Sequence, residues 1–320
     1  MLLKITHTTD LSHSDLISES VMELRMCPRQ EPDQHRLSFN LAIGPATQPN
    51  NYFDWLGNTV HAFTITGFHD QIRIVATSVV ETNRPKLEPQ DLADAWPVNL
   101  SPELYSMYDY FQFGGPVCDC PLLQRLAGEL QPTQGEPLGS IAQRMIQLID
   151  AKFMYEQGVT SSASPITEIL SHGRGVCQDF THLMMGLARA IGVPARYVSG
   201  YLHPEAQKYR GYTQSHAWCE LYFPSAGWIG FDATNKCTAG DHFVKVAYGR
   251  DFRDVPPNKG IYRGTAKEAI KVAIHSEALT TMPPELASDR TQSINIPTYP
   301  GKYAPHKELV GLQQEQQQQQ

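Results

Sequence analysis

The fold of the core follows from the stretch SHGRGVCQDFTHLMMGLARAIG, residues Ser171 to Gly192, in which a cysteine stands where a glycine-rich loop gives way to a helix. A helix is predicted because apolar residues recur at spacings of three and four. These residues are Phe180, Leu183, Met184, Leu187 and Ile191. Gly192 and Pro194 end the pattern. Cys177 therefore lies at or just before a helix N-terminus, where the helix dipole and unpaired N–H groups favour a thiolate.

Taken alone, Cys177 has a commoner explanation, which is a buried cysteine that packs as a small hydrophobic residue. The residues that follow the helix change this interpretation. Strands are predicted over residues 195–202, 216–223 and 228–234. A turn over residues 224–227 joins the second and third into an antiparallel hairpin. His216 begins the second strand and Asp232 lies near the end of the third, so the two side chains are expected to be adjacent.

Cys177, His216 and Asp232 together supply three catalytic roles. Cys177 is the candidate nucleophile, His216 the candidate general base and acid, and Asp232 the carboxylate that fixes the imidazole tautomer. The backbone N–H of Cys177 is the candidate donor to the oxyanion that forms during attack on a carbonyl. This mechanism requires no cofactor and no metal.

Other residues near this set have less specific interpretations. Asp179, in the first helical turn, is interpreted as a partner of the helix dipole. Trp218 shares a strand face with His216, so it either walls the site or belongs to the core. Arg196 and Tyr201, on the strand after the helix, are candidates for lining a cleft.

Residues 1–87 are predicted to form a β-rich N-terminal domain. Apolar residues alternate along Gln34–Ile43. One face of this strand is expected to carry Leu37, Phe39, Leu41 and Ile43. Residues 59–65 alternate again after a turn-like segment at 55–58, and residues 71–82 are rich in Ile, Val and Thr. We expect three or four antiparallel strands with one solvated face.

Residues 88–265 are predicted to hold a helical lead-in and the core, and residues 266–320 a C-terminal extension. Helices are expected over Pro121–Glu129, which opens with proline, and over Ile141–Ile149. The extension begins with a short helical candidate, Ala266–His275. It is otherwise expected to be largely disordered, since its end, QQEQQQQQ, has no apolar face to bury.

The composition argues against several classes of protein. The chain has 320 residues and a net charge of −7, which weighs against nucleic-acid binding. Its apolar runs are far shorter than the about 20 residues of a membrane helix, and the N-terminus lacks the apolar segment of a secretory signal. Six cysteines are too few for a disulfide scaffold in a chain of this length, so a cytoplasmic location is expected. The pair Cys118 and Cys120 lacks the spacing of a zinc site.

The run GRGVCQDFTHLMMGLARAIGVPARYVSGY, followed by SHAWCELYFPSAGWIGFDATN, resembles the core of the transglutaminase-like superfamily. In that family three such blocks carry the catalytic residues, which correspond to Cys177, His216 and Asp232. Residues 241–257 resemble the close of the bacterial branch, and residues 1–85 resemble its β-rich N-terminal region. The resemblance implies an α+β, papain-like core, in which a cysteine helix packs on an antiparallel sheet, preceded by a β-rich domain.

The same resemblance implies a bacterial transglutaminase-like cysteine protease or amidase. Its chemistry would be acyl transfer through a thioester, with a protein or peptide as substrate and neither nucleic acid nor membrane as partner. Hydrolysis is favoured over protein-glutamine acyl transfer to amines. Two other functions stay open: a non-catalytic binding module on the same fold, and a metal protein with zinc at Cys177 and His216.

Overall fold

A computed structural model describes residues 1–99, 107–204, 210, 215–299 and 314–315. The helices are α1 (Pro121–Gly128), α2 (Leu138–Lys152), α3 (Ile166–His172) and α4 (Cys177–Ala190). The strands are β1 (Leu2–Leu24), β2 (Gln34–Gly44), β3 (Asn50–Phe53), β4 (Thr59–Thr82), β5 (Met154–Tyr155), β6 (Arg174–Gly175), β7 (Ala195–Leu202), β8 (His216–Phe223), β9 (Gly227–Asp232), β10 (Cys237–Thr238), β11 (Phe243–Gly249), β12 (Asn258–Arg263), β13 (Glu268–Ala278), β14 (Arg290–Ser293) and β15 (Gln314–Glu315). The predicted α+β class is confirmed.

A large sheet is built around the long strand β1. Its order is β14-β2-β4-β1-β12-β15, with β13 also paired to β1 and β3 to β4. β4 runs antiparallel to β1 along nearly the whole length of both strands. The sheet therefore unites the N-terminal strands with strands that follow the core in sequence.

The alternation predicted for β2 is confirmed except at one residue. The register against β4 slips between Arg36 and Ser38, so Leu37 is the extra residue of a β-bulge. The bulge turns Leu37 outward, where its side chain is 44% exposed. The rest of the predicted face is buried: Phe39, Leu41 and Ile43.

β4 is a single strand of 24 residues, although the sequence predicts separate strands over residues 59–65 and 71–82. The pairing between β4 and β1 is irregular in the middle of β4 but does not end there. Gly67 has a φ of +100°, and the register shifts on both sides of Ile17. The hairpin turn before this strand is confirmed, because Phe53 pairs with Thr59.

The helix predicted over Ala266–His275 is wrong, since Glu268–Ala278 forms β13. The inward residues of this segment follow a period of two, and they pair with β1 from His13 to Leu3. β14 adds a parallel strand beside β2. The extension expected to be largely disordered thus contributes two strands as far as Ser293. Apart from β15, the glutamine-rich end lies outside the described residues.

A second sheet carries the C-terminal half of the core. Its order is β10-β9-β8-β7-β11, with all neighbours antiparallel. α4 packs against β7 and β8, and both predicted helices before it form, as α1 and α2. One hydrophobic core is continuous from α4 to Leu3, Ile5 and Val80 of the large sheet. The large sheet and the helical core are therefore packed as one body.

A buried ion-pair network reinforces this junction. Glu220 on β8 binds Arg196 on β7 and Lys245 on β11, each at 2.6–2.7 Å. Lys245 also contacts Glu31, in the loop after β1, at 3.1 Å. Burial alone would raise the pKa of Glu220, but Arg196 and Lys245 lower it to about 2. The strand that begins with His216 is thus anchored to the N-terminal region by paired charges.

Among the described residues, the helices are too short or too polar for any to be a candidate membrane span.

Candidate active site

Cys177 is the first residue of α4, as the sequence predicts. The residue before it, Val176, is extended, and its N–H donates to Oδ2 of Asp179 at 2.8 Å. Thr160 donates its hydroxyl to the same oxygen at 2.6 Å. Asp179, interpreted as a partner of the helix dipole, therefore also ties the start of α4 to the loop before α3. Burial raises the pKa of Asp179 to about 6, although these two hydrogen bonds lower it.

His216 and Asp232 are adjacent, which confirms the expectation drawn from the β8–β9 hairpin. Nε2 of His216 lies 2.7 Å from Oδ2 of Asp232. Because a carboxylate only accepts hydrogen bonds, this contact requires the proton on Nε2 and leaves the lone pair on Nδ1. Nδ1 has no hydrogen-bond partner of regular geometry among the described residues.

The thiol of Cys177 is a neighbour of the same imidazole. Burial alone would lower the pKa of His216, but the Asp232 carboxylate, and then Cys177, raise it to about 10. Cys177, His216 and Asp232 are 2%, 1% and 0% exposed. The three residues thus meet in a closed, low-dielectric environment, in which an imidazolium is stabilised only by its charged partners.

Tyr155 is a site residue that the sequence did not identify. β5 pairs in parallel with β6, which places Tyr155 opposite Gly175, two residues before Cys177. Burial, and then the nearby Cys177, raise the pKa of its phenol, so the hydroxyl stays protonated. The Arg210 guanidinium lies 5.3 Å from the centre of the Tyr155 ring. In the sequence, Tyr155 is a tyrosine in a short segment upstream of the cysteine helix. No periodic pattern connects this segment to Cys177, so the sequence gives no sign of the contact.

Asn235 is the second residue that the sequence missed. Its side-chain Nδ2 donates to Oδ2 of Asp232 at 2.7 Å, and its backbone N–H donates to Oδ1 at 3.2 Å. The backbone N–H of Thr234 donates to Oδ1 at 2.9 Å. An aspartate followed at two and three residues by polar turn residues is a pattern that could have indicated this turn.

Trp218 is a core residue that also adjoins the site. It is fully buried, packs edge-on against Phe243 and lies parallel to His216 with ring centres 6.3 Å apart. The Trp218 ring occupies the space over Gly200, where an added Cβ would lie 2.6 Å from it. Only glycine allows this close approach.

The cleft-lining role expected for Arg196 and Tyr201 is wrong. Arg196 is paired with Glu220 in the buried network. The Tyr201 hydroxyl lies 3.0 Å from Nδ1 of His7 on β1 and also donates to the backbone of Met26. Both side chains therefore lie at the junction with the large sheet rather than beside Cys177.

The metal-protein alternative receives no support from the part of the chain that the structure describes. Within it, no three His, Cys, Asp or Glu side chains are grouped so that they could hold a metal ion.

A cysteine at a helix N-terminus, packed on a sheet that carries a His–Asp pair, defines the class of papain-like α+β folds. Residues 124–233 match the model of the transglutaminase-like superfamily core. Residues 3–81 match the model of the bacterial transglutaminase-like N-terminal region. The chain belongs to the transglutaminase-like superfamily, and the comparisons support an enzyme of that superfamily.

Individual relatives agree with this assignment. An uncharacterized protein of Mycobacterium leprae is 31% identical over 277 residues, which cover 85% of this chain and 97% of that protein. The structure of a "putative cysteine protease" from Cytophaga hutchinsonii is similar with a TM-score of 0.70 and 24% identity, covering 88% of this chain and 93% of the other. That similarity shows the fold. A protein-glutamine gamma-glutamyltransferase of Pseudomonas aeruginosa is 29% identical over 126 residues, which are 37% of this chain and 19% of that protein.

Proposed function

We propose that this protein is a thiol hydrolase that cleaves peptide or amide bonds of a protein or peptide substrate through Cys177, His216 and Asp232. The observation that carries the proposal is the buried 2.7 Å contact between His216 and Asp232 beside the thiol at the start of α4. This contact leaves Nδ1 of the imidazole as the nitrogen that can exchange a proton with a thiol.

The raised pKa of His216 keeps the Cys177 proton on Nδ1, as a thiolate–imidazolium pair, and in the acylation step the thiolate attacks the carbonyl carbon of the substrate. The C=O π electrons move to the oxygen, which becomes an oxyanion. When the oxyanion collapses, the C–N bond breaks, and the imidazolium protonates the departing amine or ammonia. A thioester on Cys177 remains. Asp232 stabilises the imidazolium throughout and does not itself take the proton.

In the deacylation step, His216 takes a proton from water, and the hydroxide attacks the thioester. The C–S bond breaks, the carboxylic acid product leaves, and the thiolate–imidazolium pair is restored. We favour water as the acceptor because residues 241–257 resemble the close of the bacterial branch of the family, and that resemblance implies a cysteine protease or amidase. An amine acceptor would follow the same steps and leave a new amide.

The oxyanion needs hydrogen-bond donors in both steps. The backbone N–H of Cys177, at the first position of α4, is the candidate first donor. The neutral phenol of Tyr155 is the candidate second donor, because Tyr155 is close enough to Cys177 for the thiol to raise its pKa and because it keeps its proton. The pair would act in a site from which water is largely excluded.

Amine transfer is the second candidate function, favoured by the similarity of the core to the Pseudomonas aeruginosa gamma-glutamyltransferase. A binding module would use the same fold without turnover. One experiment separates the three. The protein is incubated with denatured casein and a dansylated alkylamine, and new N-termini, released ammonia and incorporated dansyl groups are measured.

Hydrolysis predicts new N-termini or ammonia without dansyl incorporation, and amine transfer predicts ammonia with incorporation. New N-termini, ammonia release and dansyl incorporation should all be lost in Cys177→Ala. Whichever of them wild type shows should be kept in Cys120→Ser, which removes a half-exposed thiol at the start of α1. Full activity of Cys177→Ala would refute the proposal. The absence of every signal from wild type, on casein and then on a peptide library, would favour the binding module.

A further inference from the structure

The two oxygens of the Asp232 carboxylate are held in different ways. Oδ1 accepts two backbone N–H groups, from Thr234 and Asn235, at 2.9 and 3.2 Å. Oδ2 faces Nε2 of His216 and accepts from the side-chain amide of Asn235, each at 2.7 Å. The backbone of the turn therefore fixes Oδ1. Apart from His216 itself, Asn235 is the described side chain that fixes Oδ2.

The orientation of the Asn235 amide follows from its partners. Its Oδ1 accepts the backbone N–H of Arg210 at 2.8 Å, so Nδ2 is the end that faces Asp232. Nδ2 also donates to the carbonyl of Arg210 at 3.3 Å and lies 3.5 Å from Nε2 of His216. Asn235 thus joins Arg210 to the His216–Asp232 pair.

We propose that Asn235 is a positioning residue, whose amide holds Oδ2 of Asp232 against His216 and ties this pair to Arg210. The inference rests on the proposed function, because it assigns Asn235 a role through the same two residues. Without the amide, the carboxylate keeps its backbone bonds at Oδ1, but Oδ2 loses the donor that shares its charge with His216.

The consequence for proton transfer has a definite sign. An amide N–H bonded to Oδ2 draws negative charge from the oxygen that binds the imidazolium. Removal of this donor makes Oδ2 a stronger acceptor and holds the proton more tightly on His216. The pKa at which the imidazolium loses its proton should therefore rise, so the paired thiolate and imidazolium persist to higher pH.

The chain supplies a matched control in Asn58, at the junction between the large sheet and the core. Nδ2 of Asn58 donates to Oδ2 of Asp54 at 3.1 Å and to the carbonyl of Tyr248 at 3.0 Å. Its Oδ1 accepts the N–H of Tyr248 at 3.0 Å. Asn58 therefore makes hydrogen bonds of the same kinds as Asn235, although its Oδ1 also accepts from Nη1 of Arg29 at 2.8 Å. Its carboxylate partner, Asp54, pairs with Arg25 rather than with a histidine.

The test is the pH dependence of Cys177 alkylation by iodoacetamide, followed by mass spectrometry of the full-length protein. This rate reports the two apparent pKa values of the coupled Cys177–His216 pair and needs no substrate. Asn235→Ala should raise the upper value by about one unit, a tenfold change in the protonation equilibrium. Asn58→Ala should lower the melting temperature and leave both values unchanged.

Asn235→Asp provides a second variant, which keeps the size of the side chain and an oxygen for Arg210 but adds negative charge beside His216. Asn235→Asp should raise the upper apparent pKa of the Cys177–His216 pair by more than Asn235→Ala does. Folded variants with unshifted profiles would overturn the inference, as would loss of folding in both, which would make Asn235 a structural residue. If wild-type Cys177 is itself no more reactive than Cys120 in acid, the proposed function fails and this inference with it.

Discussion

Nε2 of His216 lies 2.7 Å from Oδ2 of Asp232, and solvent reaches neither side chain. A buried imidazole cannot carry charge without a compensating partner, and Asp232 is that partner. The contact also decides which nitrogen is basic, because Nε2 must hold the proton that the carboxylate accepts. The chemical state of the imidazole is therefore set by the β8–β9 hairpin before any substrate binds.

Asp232→Asn should leave the fold intact and lower kcat by about 10³- to 10⁴-fold. The amide presents an N–H to Nε2, which stabilises the tautomer with its proton on Nδ1 and removes the base. Steady-state turnover and circular dichroism check this together. Turnover within threefold of wild type would remove Asp232 from the mechanism.

Tyr155→Phe should lower the rate of acyl transfer by about 10- to 100-fold, because it deletes one candidate donor to the oxyanion. Alkylation of Cys177 by iodoacetamide should keep its rate, since displacement of iodide from carbon forms no oxyanion. Comparing the two rates in one variant separates oxyanion stabilisation from thiol activation. An equal loss in both would show instead that Tyr155 acts on the thiol.

Asp179→Asn should stabilise the protein at pH 7.5 relative to wild type. Burial raises the pKa of Asp179 from 3.8 to about 6, so its neutral form is favoured in the folded state. Stability from this group is complete below about pH 4 and is lost as the pH rises to about 6. The gain of the variant should thus be about 2 to 3 kcal/mol larger at pH 7.5 than at pH 4.

Chemical denaturation at the two pH values measures this difference. Asp150→Asn is the control, because its carboxylate is half exposed and pairs with Lys236 at the surface. A gain for Asp179→Asn that does not depend on pH would contradict the effect of burial.

Glu220→Gln should lower the free energy of unfolding by about 3 to 5 kcal/mol, because Arg196 is left buried without a carboxylate and Lys245 keeps only Glu31. Glu277→Gln, which breaks the exposed pair with Lys4, should cost about 1 kcal/mol or less. The pKa of Glu220 is lowered to about 2, so its contribution is present above about pH 4.5 and is lost as the pH falls toward 2. Urea titrations at pH 7 and pH 3 measure the free energy of unfolding of both variants. An equal loss of stability in Glu220→Gln and Glu277→Gln at pH 7 would contradict the role of the buried network.

The core of this fold could be predicted from sequence because its signals are local. The helical period after Cys177 predicts α4, and the alternation on either side of residues 224–227 predicts β8 and β9. A hairpin brings its own strand ends together, so the adjacency of His216 and Asp232 followed from short-range geometry.

The parts that were mispredicted depend on distant partners. Glu268–Ala278 carries alanine and lysine between its branched residues, which is compatible with a helix until β1 offers an edge to pair with. Leu37 fits the alternation of its own strand, and only the register against β4 makes it a bulge. Tyr155 reaches Cys177 through the pairing of two very short strands, which no periodic pattern reveals.

The most direct test of whether His216 activates Cys177 is site-resolved alkylation by iodoacetamide at pH 5.5, with wild type compared with His216→Ala. An ordinary thiol has a pKa of about 8.5 and barely reacts at this pH. Cys120, which is half exposed, serves as the internal reference. Cys177 should label much faster than Cys120 in wild type and slow to the rate of Cys120 in His216→Ala. A Cys177 that stays unlabelled at pH 5.5, or that labels equally fast without His216, would contradict the proposed pairing of Cys177 with His216.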